Sequence, residues 1–322
     1  MDTYPIIIQG EVTVLVPGSP NYLSTYVLLE QEDWFEKEIR FIRKMLARGM
    51  HVIDVGASLG VYTLTMAKAI GVEGTVVAFE PTKSTADMLE ISIGLNKLDN
   101  VKLVRSALSA TVGVLTLNKN KNGELNSLSA KNAENEFEQV NVSTLDEEAL
   151  KFNRNIDFIK IDAEGEELRI IEGGRSFLSD QSPLVMFEVL DGTERRSAED
   201  LEEAFGKLGY NIYRLIYRLV GPAEVLVPVE AKDDAVNSEY NLFACKRDRA
   251  EKLERWGLLV TKPDTDFVLT NFENAGRIFF IRFNMLSHLA RLNGMSILTG
   301  KSLMPMPLGE AGSLNRAYVT RA

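Results

Sequence analysis

The sequence is poor in thiols, in imidazoles and in positive charge. One cysteine, Cys245, and two histidines, His51 and His288, occur in 322 residues. A single thiol cannot close an internal disulfide, so a disulfide-stapled fold is excluded and a reducing, cytoplasmic compartment fits. Cys245 falls in a strand-like apolar run and reads as a small buried hydrophobe. His51 precedes a strand and reads as structural, while His288 falls on an amphipathic stretch, packed or facing solvent. Lysine and arginine number 36 against 46 acids, a formal net charge of −10 with pI about 5.0. That balance argues against an electrostatic nucleic-acid or anionic-membrane partner. No apolar run approaches the ~18 residues of a membrane span. The opening MDTYPIIIQGEVTV has neither the basic region nor the apolar stretch of a signal peptide. Repeats and long low-complexity tracts are missing too.

What is present is a soluble composition, 45% hydrophobic and 25% charged, long enough for one large domain or a domain and a smaller piece. Its centre is residues 51–60, HVIDVGASLG. Val52, Ile53 and Val55 are a short apolar β-branched run. Asp54 interrupts it, and Gly56 and Gly60 follow. Val61, Leu64, Ala67 and Ile70 then recur on one side of a helix over 61–70, which Gly71 stops. A strand, a glycine turn and a helix aim backbone N–H groups and a positive helix end at a ligand. The plain alternative is a strand–helix turn with no ligand. A dinucleotide site wants G-x-G-x-x-G, and here Ser58 and Val61 stand where its second and third glycines would.

The second strand, over 74–80, ends in Glu80, 26 positions beyond Asp54. That is close to the spacing at which β-α-β sites place an acid on ribose hydroxyls, and Pro81 holds the acid at the strand tip. A solvated turn acid is the bland reading. A helix over 84–97 and a strand over 100–105 follow. The exit of that strand, Ser106-Ala107, is small enough to lie beside a flat adenine ring, although Ser106 also suits an ordinary turn. Earlier in the chain, residues 6–16 read as one or two short strands, and 32–48 as a single amphipathic helix. Residues 111–118 read as a hairpin strand. Residues 118–136 read as a polar loop, either a lid or a plain insertion. Thr144 to Glu147 form a capping box.

The run 156–165, IDFIKIDAEG, carries Lys160, Asp162 and Glu164 at period two, so they share a face while the strand stays extended. A charge inside a buried strand must be paired, and Lys160 with one acid is the economical pairing. A further acid is left at the tip. The next strand, 183–189, ends near Glu188. A helix over 197–208 and strands over 210–219 and 240–246 complete the pattern. Asp54, Glu80, Asp162 and Glu188 thus fall at one rim, the carboxyl end of the strands, where open α/β sheets bind ligands.

Taken as a spaced set, these motifs resemble the FkbM family of class I S-adenosylmethionine (SAM) methyltransferases. The resembling residues are 52–64 (VIDVGASLGVYTL), 78–81 (AFEP), 126–128 (NSL), 144–146 (TLD), 158–167 (FIKIDAEGEE) and 187–188 (FE), within about 35–246. The family usually has asparagine at Ser58 and valine at Ala163. The resemblance implies a doubly wound, mostly parallel seven-stranded Rossmann-like α/β sheet with helices on both faces and a final antiparallel hairpin. It implies SAM bound by Asp54, Gly56, Ala57, Ser58, Gly60 and Tyr62 at the methionine end. Glu80 and Pro81 would meet the ribose and Ser106 and Ala107 the adenine, with Asp162 beside the methyl group. It also implies O-methylation of a sugar, glycan or polyketide-type small-molecule acceptor.

Candidates for the base are Asp162, Glu164 and Glu188, with Lys160 weaker. The same acids could instead hold a divalent cation such as Mg²⁺, which takes oxygen ligands. A catalytically silent SAM-binding module is the rival reading, and a dinucleotide oxidoreductase is disfavoured by the missing glycines. The expected organisation is a capping piece over 1–50, a methyltransferase domain over 51–248 and a partly helical extension over 249–322. An amphipathic helix over 272–294 in that extension is open to a role in homo-oligomer contact, in covering the substrate site or as a tail.

Overall fold

The computed structural model describes residues 2–119, 136–152, 154–189, 198–217, 224–229 and 241–261. Residues 120–135 of the expected 118–136 loop, with the NSL motif, the helix over 272–294 with His288, and the rest of the C-terminal extension beyond 261 lie outside them, while 118, 119 and 136 belong to strands.

The chain opens with a hairpin, β1 (Thr3–Ile8) and β2 (Val12–Pro17), paired antiparallel around Gln9-Gly10. The helix expected over 32–48 is the shorter α2 (Lys37–Met45), and an unexpected helix, α1 (Leu23–Gln31), precedes it, with a break between the two. The apolar period carries no information about the break. Glu32 turns left-handed at φ 52° and its carbonyl accepts from the Gln9 N–H at 2.9 Å. Asp33 takes a two-pronged bond from Arg43 at 2.7 and 2.9 Å. These contacts, made across the fold, override the local pattern.

Then come β3 (His51–Val55), α3 (Val61–Ile70), β4 (Thr75–Phe79), α4 (Lys83–Asn96) and β5 (Val101–Val104). A three-stranded side sheet follows, of β6 (Ala107–Leu108), β7 (Gly113–Lys119) and β8 (Glu136–Ser143), in the order β6-β8-β7. Thr144 caps α5 (Leu145–Ala149), its hydroxyl accepting from the Glu147 N–H at 3.1 Å. After β9 (Phe158–Ile161) and α6 (Glu167–Glu172) an unexpected α7 (Arg175–Asp180) precedes β10 (Leu184–Glu188). The described chain ends through α8 (Ala198–Lys207), β11 (Asn211–Tyr217), β12 (Glu224–Pro228), β13 (Asn241–Cys245) and α9 (Arg247–Arg255).

The main sheet runs β12-β11-β13-β10-β9-β3-β4-β5. Its pairings are parallel from β5 to β10 and antiparallel from β10 through β13 and β11 to β12. It contains the seven strands of the expected pattern and an eighth, β12, at the edge. The sequence hid β12 because its apolar run is short and bounded by prolines. The strand is held by pairing to β11 and by a cross-chain bond, Val260 N–H to the Leu226 carbonyl at 2.9 Å.

Strand alternation divides the buried residues into two cores. Val52, Val76, Phe158, Met186 and Phe243 face α2, α3 and α9 through Ile42, Leu64 and Leu253. Ile53, Val77, Ile159, Ile161 and Phe187 face α6, α7 and α8 through Ile170, Leu178 and Phe205. Both faces are covered, so the free edge of each parallel strand is its C-terminal tip. The site lies there.

Candidate active site

Close approach of two strand tips sets the geometry. A Cβ built on Gly56 would stand 1.8 Å from the Asp162 carbonyl oxygen, and Gly56 holds φ 74°. Only a residue without a side chain lets the exits of β3 and β9 meet. Ser58 also turns left-handed at φ 50°, and Gly60 at φ 89° starts α3. A left-handed position favours asparagine among residues with side chains, which gives a physical reason for the asparagine usual in the resembling family.

The turn does not offer the free N–H cradle expected of it. Gly56 and Ala57 donate to the Phe79 carbonyl at 3.1 and 3.0 Å. Ser58 donates to Glu80 Oε2 at 2.9 Å, and Gly60 to the Ala57 carbonyl at 2.9 Å. Four donors are therefore engaged inside the protein. The turn is a braced wall, and a pyrophosphate would find few hydrogen bonds on it.

Asp54 and Lys160 are register partners on β3 and β9. Asp54 is fully buried, and Thr63 donates to its Oδ2 at 2.6 Å. Its Oδ1 makes no hydrogen bond and lies 3.7 Å from Lys160 Nζ. Lys160 is 2% exposed. Its ammonium sits 2.9 Å from Asp162 Oδ2, 3.5 Å from the Gly56 carbonyl and 5.1 Å from the Tyr62 ring centre. Burial raises the Asp54 pKa, and Lys160 works against that rise. Burial would lower the Lys160 pKa, but Asp162 and Asp54 hold it above the ordinary lysine value. The expected pairing of Lys160 is therefore found, with two acids.

Beyond this pair the tips of β9 and β10 bring Asp162, Glu164 and Glu188 together, with one oxygen of each within 4.8 Å of the others. Glu164 is left-handed at φ 51°, and Glu167 secures the turn by accepting from the Ala163 and Gly165 N–H groups at 3.0 and 3.2 Å. Burial, then Asp162 and Glu164, push the Glu188 pKa up to about 10. Its Oε2 is buried with no hydrogen-bond partner. Like charges this close cannot all ionise, and Glu188 holds the proton.

Glu80 sits at the tip of β4, 6% exposed. Its two oxygens accept from the Ser58 N–H of the glycine turn and from the Thr82 N–H just past Pro81, at 2.9 and 2.8 Å. Its own N–H donates to the Val104 carbonyl at 3.1 Å, which ties it to the exit of β5. Burial raises its pKa against those two N–H bonds. At that exit the Ser106 hydroxyl lies 2.9 and 3.0 Å from the Ala107 and Asn141 carbonyls. Ala107 pairs with Val142 in the side sheet. The structure thus gathers the proposed residues in three neighbouring groups along one rim, from Ser106 and Glu80 through Asp54 and Lys160 to Glu188. Two partners were missed. Thr63 had a readable signal, a hydroxyl in the first turn of the helix that follows Asp54. Glu36 had none, since its spacing puts it on the polar face of a helix, yet it accepts a hydrogen bond from Tyr62 Oη.

Residues 54–212 match the methyltransferase FkbM domain family. No curated protein matches the chain. Among solved structures, the chain is similar to a SAM-dependent O-methyltransferase from Thermotoga maritima, at 16% identity and TM-score 0.40, over 73% of each chain. It is also similar to methyltransferase FkbM from Methylobacillus flagellatus KT, at 15% identity and TM-score 0.39, over 62% of this chain and 44% of that one. A SAM-dependent methyltransferase from Aquifex aeolicus aligns at 15% identity and TM-score 0.38, over 71% of this chain and 98% of its own.

Proposed function

The chain belongs to the FkbM-type SAM-dependent methyltransferases, and from that premise we propose that it methylates a hydroxyl of a sugar, glycan or polyketide-type small molecule. The observation that carries this reading is the convergence of Asp162, Glu164 and Glu188 at the tips of β9 and β10. A hydroxyl acceptor must lose a proton as it is methylated, and a carboxylate beside the reacting oxygen is suited to take it. The surrounding charge supports SAM as donor. Asp162, Glu164 and the other acids of the rim, Glu36, Asp54 and Glu80, lie with one lysine among them, so even with Glu188 protonated the rim suits a cationic sulfonium and disfavours a pyrophosphate.

When bound, SAM supplies an electrophilic methyl group on a positive sulfur, and the sulfur keeps the C–S bonding pair as the methyl leaves. The chain's part is to orient and to accept a proton. The braced turn at Gly56 and Ser58 fixes the methionine end, Glu80 accepts from the ribose hydroxyls, and Ser106 and Ala107 border the adenine. Lys160 holds Asp162 by its Oδ2, which leaves Oδ1 for the acceptor hydroxyl. Glu188, protonated in the empty cleft, can donate a hydrogen bond to the acceptor. Asp162, Glu164 and Glu188 are half-buried, so bound cofactor and acceptor complete the exclusion of water that strengthens both contacts.

A divalent cation at the same acids is the second reading, favoured by three carboxylate oxygens lying within 4.8 Å of one another. They are hard ligands of the kind Mg²⁺ takes. Asp162→Asn together with EDTA treatment separates the two. With a base, the methylation rate falls about 10²-fold or more while SAM affinity stays within a few-fold. With a cation, EDTA abolishes transfer and magnesium restores it. Near-full rates in Asp162→Asn and Glu188→Gln, with no effect of EDTA, would leave positioning alone to carry the reaction. Labelled SAM offered to a panel of sugars and small hydroxylated acceptors identifies the substrate. A cytoplasmic setting fits the one buried cysteine, and a homo-oligomer built through the C-terminal extension remains part of the proposal.

A further inference from the structure

We propose that Glu36, which precedes the matched domain in sequence, is a positioning residue of the cofactor site, acting through Tyr62 on Lys160; this rests on the SAM reading above. Glu36 occupies the N-cap of α2, at the break between the two N-terminal helices. Tyr62, in the first turn of α3, donates its phenol proton to Glu36 Oε2. The same ring lies with its centre 5.1 Å from Lys160 Nζ. One bond therefore fixes the ring that covers the ammonium.

The arrangement bears on the cofactor because of what else holds Lys160. Its other neighbours are Asp162 Oδ2 at 2.9 Å, the Gly56 carbonyl at 3.5 Å and Asp54 Oδ1 at 3.7 Å. These are the tip of β9 and the start of the glycine turn, the groups assigned to the methyl and methionine ends of SAM. A lysine stem has four rotatable bonds, and of these three neighbours only Asp162 Oδ2 lies at short hydrogen-bond distance. The ring supplies a further wall through a cation–π contact. Glu36 holds the ring without touching the cofactor. Releasing Tyr62 lets Lys160 swing toward Glu164 and Glu188, and Asp162 loses its fixed orientation. Burial and then Asp162 raise the Glu36 pKa, and its carboxylate, when ionised, also adds a negative charge near Lys160. The glutamine variant separates that charge from the hydrogen bond, because it keeps an oxygen acceptor for Tyr62 without the charge.

The experiment compares Glu36→Ala, Glu36→Gln, Tyr62→Phe and the double variant Glu36→Ala/Tyr62→Phe. The readouts are calorimetric affinity for S-adenosylhomocysteine and thermal melting of the full chain. Loss of one buried hydrogen bond predicts that Glu36→Ala and Tyr62→Phe each weaken binding about tenfold. The double variant should be no weaker than either single one, because both remove the same contact. Glu36→Gln should lose markedly less than Glu36→Ala. Multiplying effects in the double variant, or wild-type affinity in Glu36→Ala, overturns the proposal. So does a Glu36→Gln as weak as Glu36→Ala. If Glu36→Ala does not fold, Tyr62→Phe with unaltered affinity overturns it as well. A wild-type chain that binds no S-adenosylhomocysteine fails at an earlier point, since it removes the SAM reading itself.

Discussion

Asp54 and Lys160 face each other from paired positions on β3 and β9, both out of contact with water, their charged atoms 3.7 Å apart. A buried pair of this kind contributes little net stability when intact, but losing one member strands the other. Lys160→Met should therefore destabilise the fold by about 3–5 kcal/mol, because Asp54 and Asp162 lose their common cation. The double variant Asp54→Asn/Lys160→Met should recover part of that loss. Urea unfolding midpoints measure both, and a Lys160→Met as stable as wild type would show that the pair does not hold the two strands.

The two glycines of the turn should fail to different degrees. At Gly56 a methyl group would run into backbone, the Asp162 carbonyl, at 1.8 Å. At Gly60 it would meet the end of the Leu89 side chain at 2.3 Å, which can turn away. Gly56→Ala should abolish S-adenosylhomocysteine binding and lower the melting temperature sharply. Gly60→Ala should remain folded with reduced stability from its positive φ. Melting and calorimetry on the two proteins decide the order, and equal behaviour would contradict the close approach at Gly56.

Glu80 braces the turn, and its proposed contact with the ribose separates from that structural role by measurement. Its oxygens hold the Ser58 and Thr82 N–H groups at 2.9 and 2.8 Å, and the Thr82 side chain bonds it as well, so a ribose hydroxyl would use the remaining acceptor capacity. Glu80→Ala should weaken SAM binding by on the order of 1–3 kcal/mol. The nicotinamide dinucleotide NAD should not bind the wild-type protein. Unchanged SAM affinity in Glu80→Ala would reduce this carboxylate to a brace for the turn.

Stability should fall as the solution becomes alkaline. Glu188 has a pKa near 4.5 when unfolded and about 10 in the fold. A folded pKa above the unfolded one means the native state binds the extra proton, so this group's contribution to stability is full below the unfolded value and is lost as pH rises through the folded one. One such group gives a slope of at most about 1.4 kcal/mol per pH unit. Glu188→Gln cannot titrate and should flatten the decline. Unfolding midpoints at pH 5 and pH 9 test this, and an unaltered slope in the variant would place the proton elsewhere.

Much of this site could be read from the chain because its parts are local. Asp54, Gly56 and Gly60 belong to one strand–turn–helix unit, and Lys160, Asp162 and Glu164 to one strand and its exit. Strand ends and helix starts follow from residue type and period, so β3, α3, β4, α4 and β9 fall where the pattern puts them. What stayed hidden depends on contacts between distant parts. The break between α1 and α2 is made by Gln9 and Arg43 acting on Glu32 and Asp33. The strand β12 depends on pairing with β11 and on a bond from Val260. Glu36 enters the site only because that break turns the start of α2 toward Tyr62. The engagement of four of the turn's N–H groups is equally invisible in sequence, since the Phe79 carbonyl that receives two of them belongs to another strand.

The anchoring of α2 determines how this protein can be cut. Glu224, 3% exposed at the start of β12, forms ion pairs with Lys44 and, at 3.3 Å, with Arg40, both on α2. Lys37 of the same helix donates to the Leu215 carbonyl at 3.0 Å. The first fifty residues and the last strands of the sheet are therefore fastened to each other across the outside of the matched span. A fragment trimmed to residues 54–212 would lose both ends of that fastening, together with Glu36 and the strands β12 and β13. A fragment keeping 51–261 would bury Glu224 with neither of these α2 cations beside it. Shortened versions made for binding or crystallisation should begin before β1 and end no earlier than Val260.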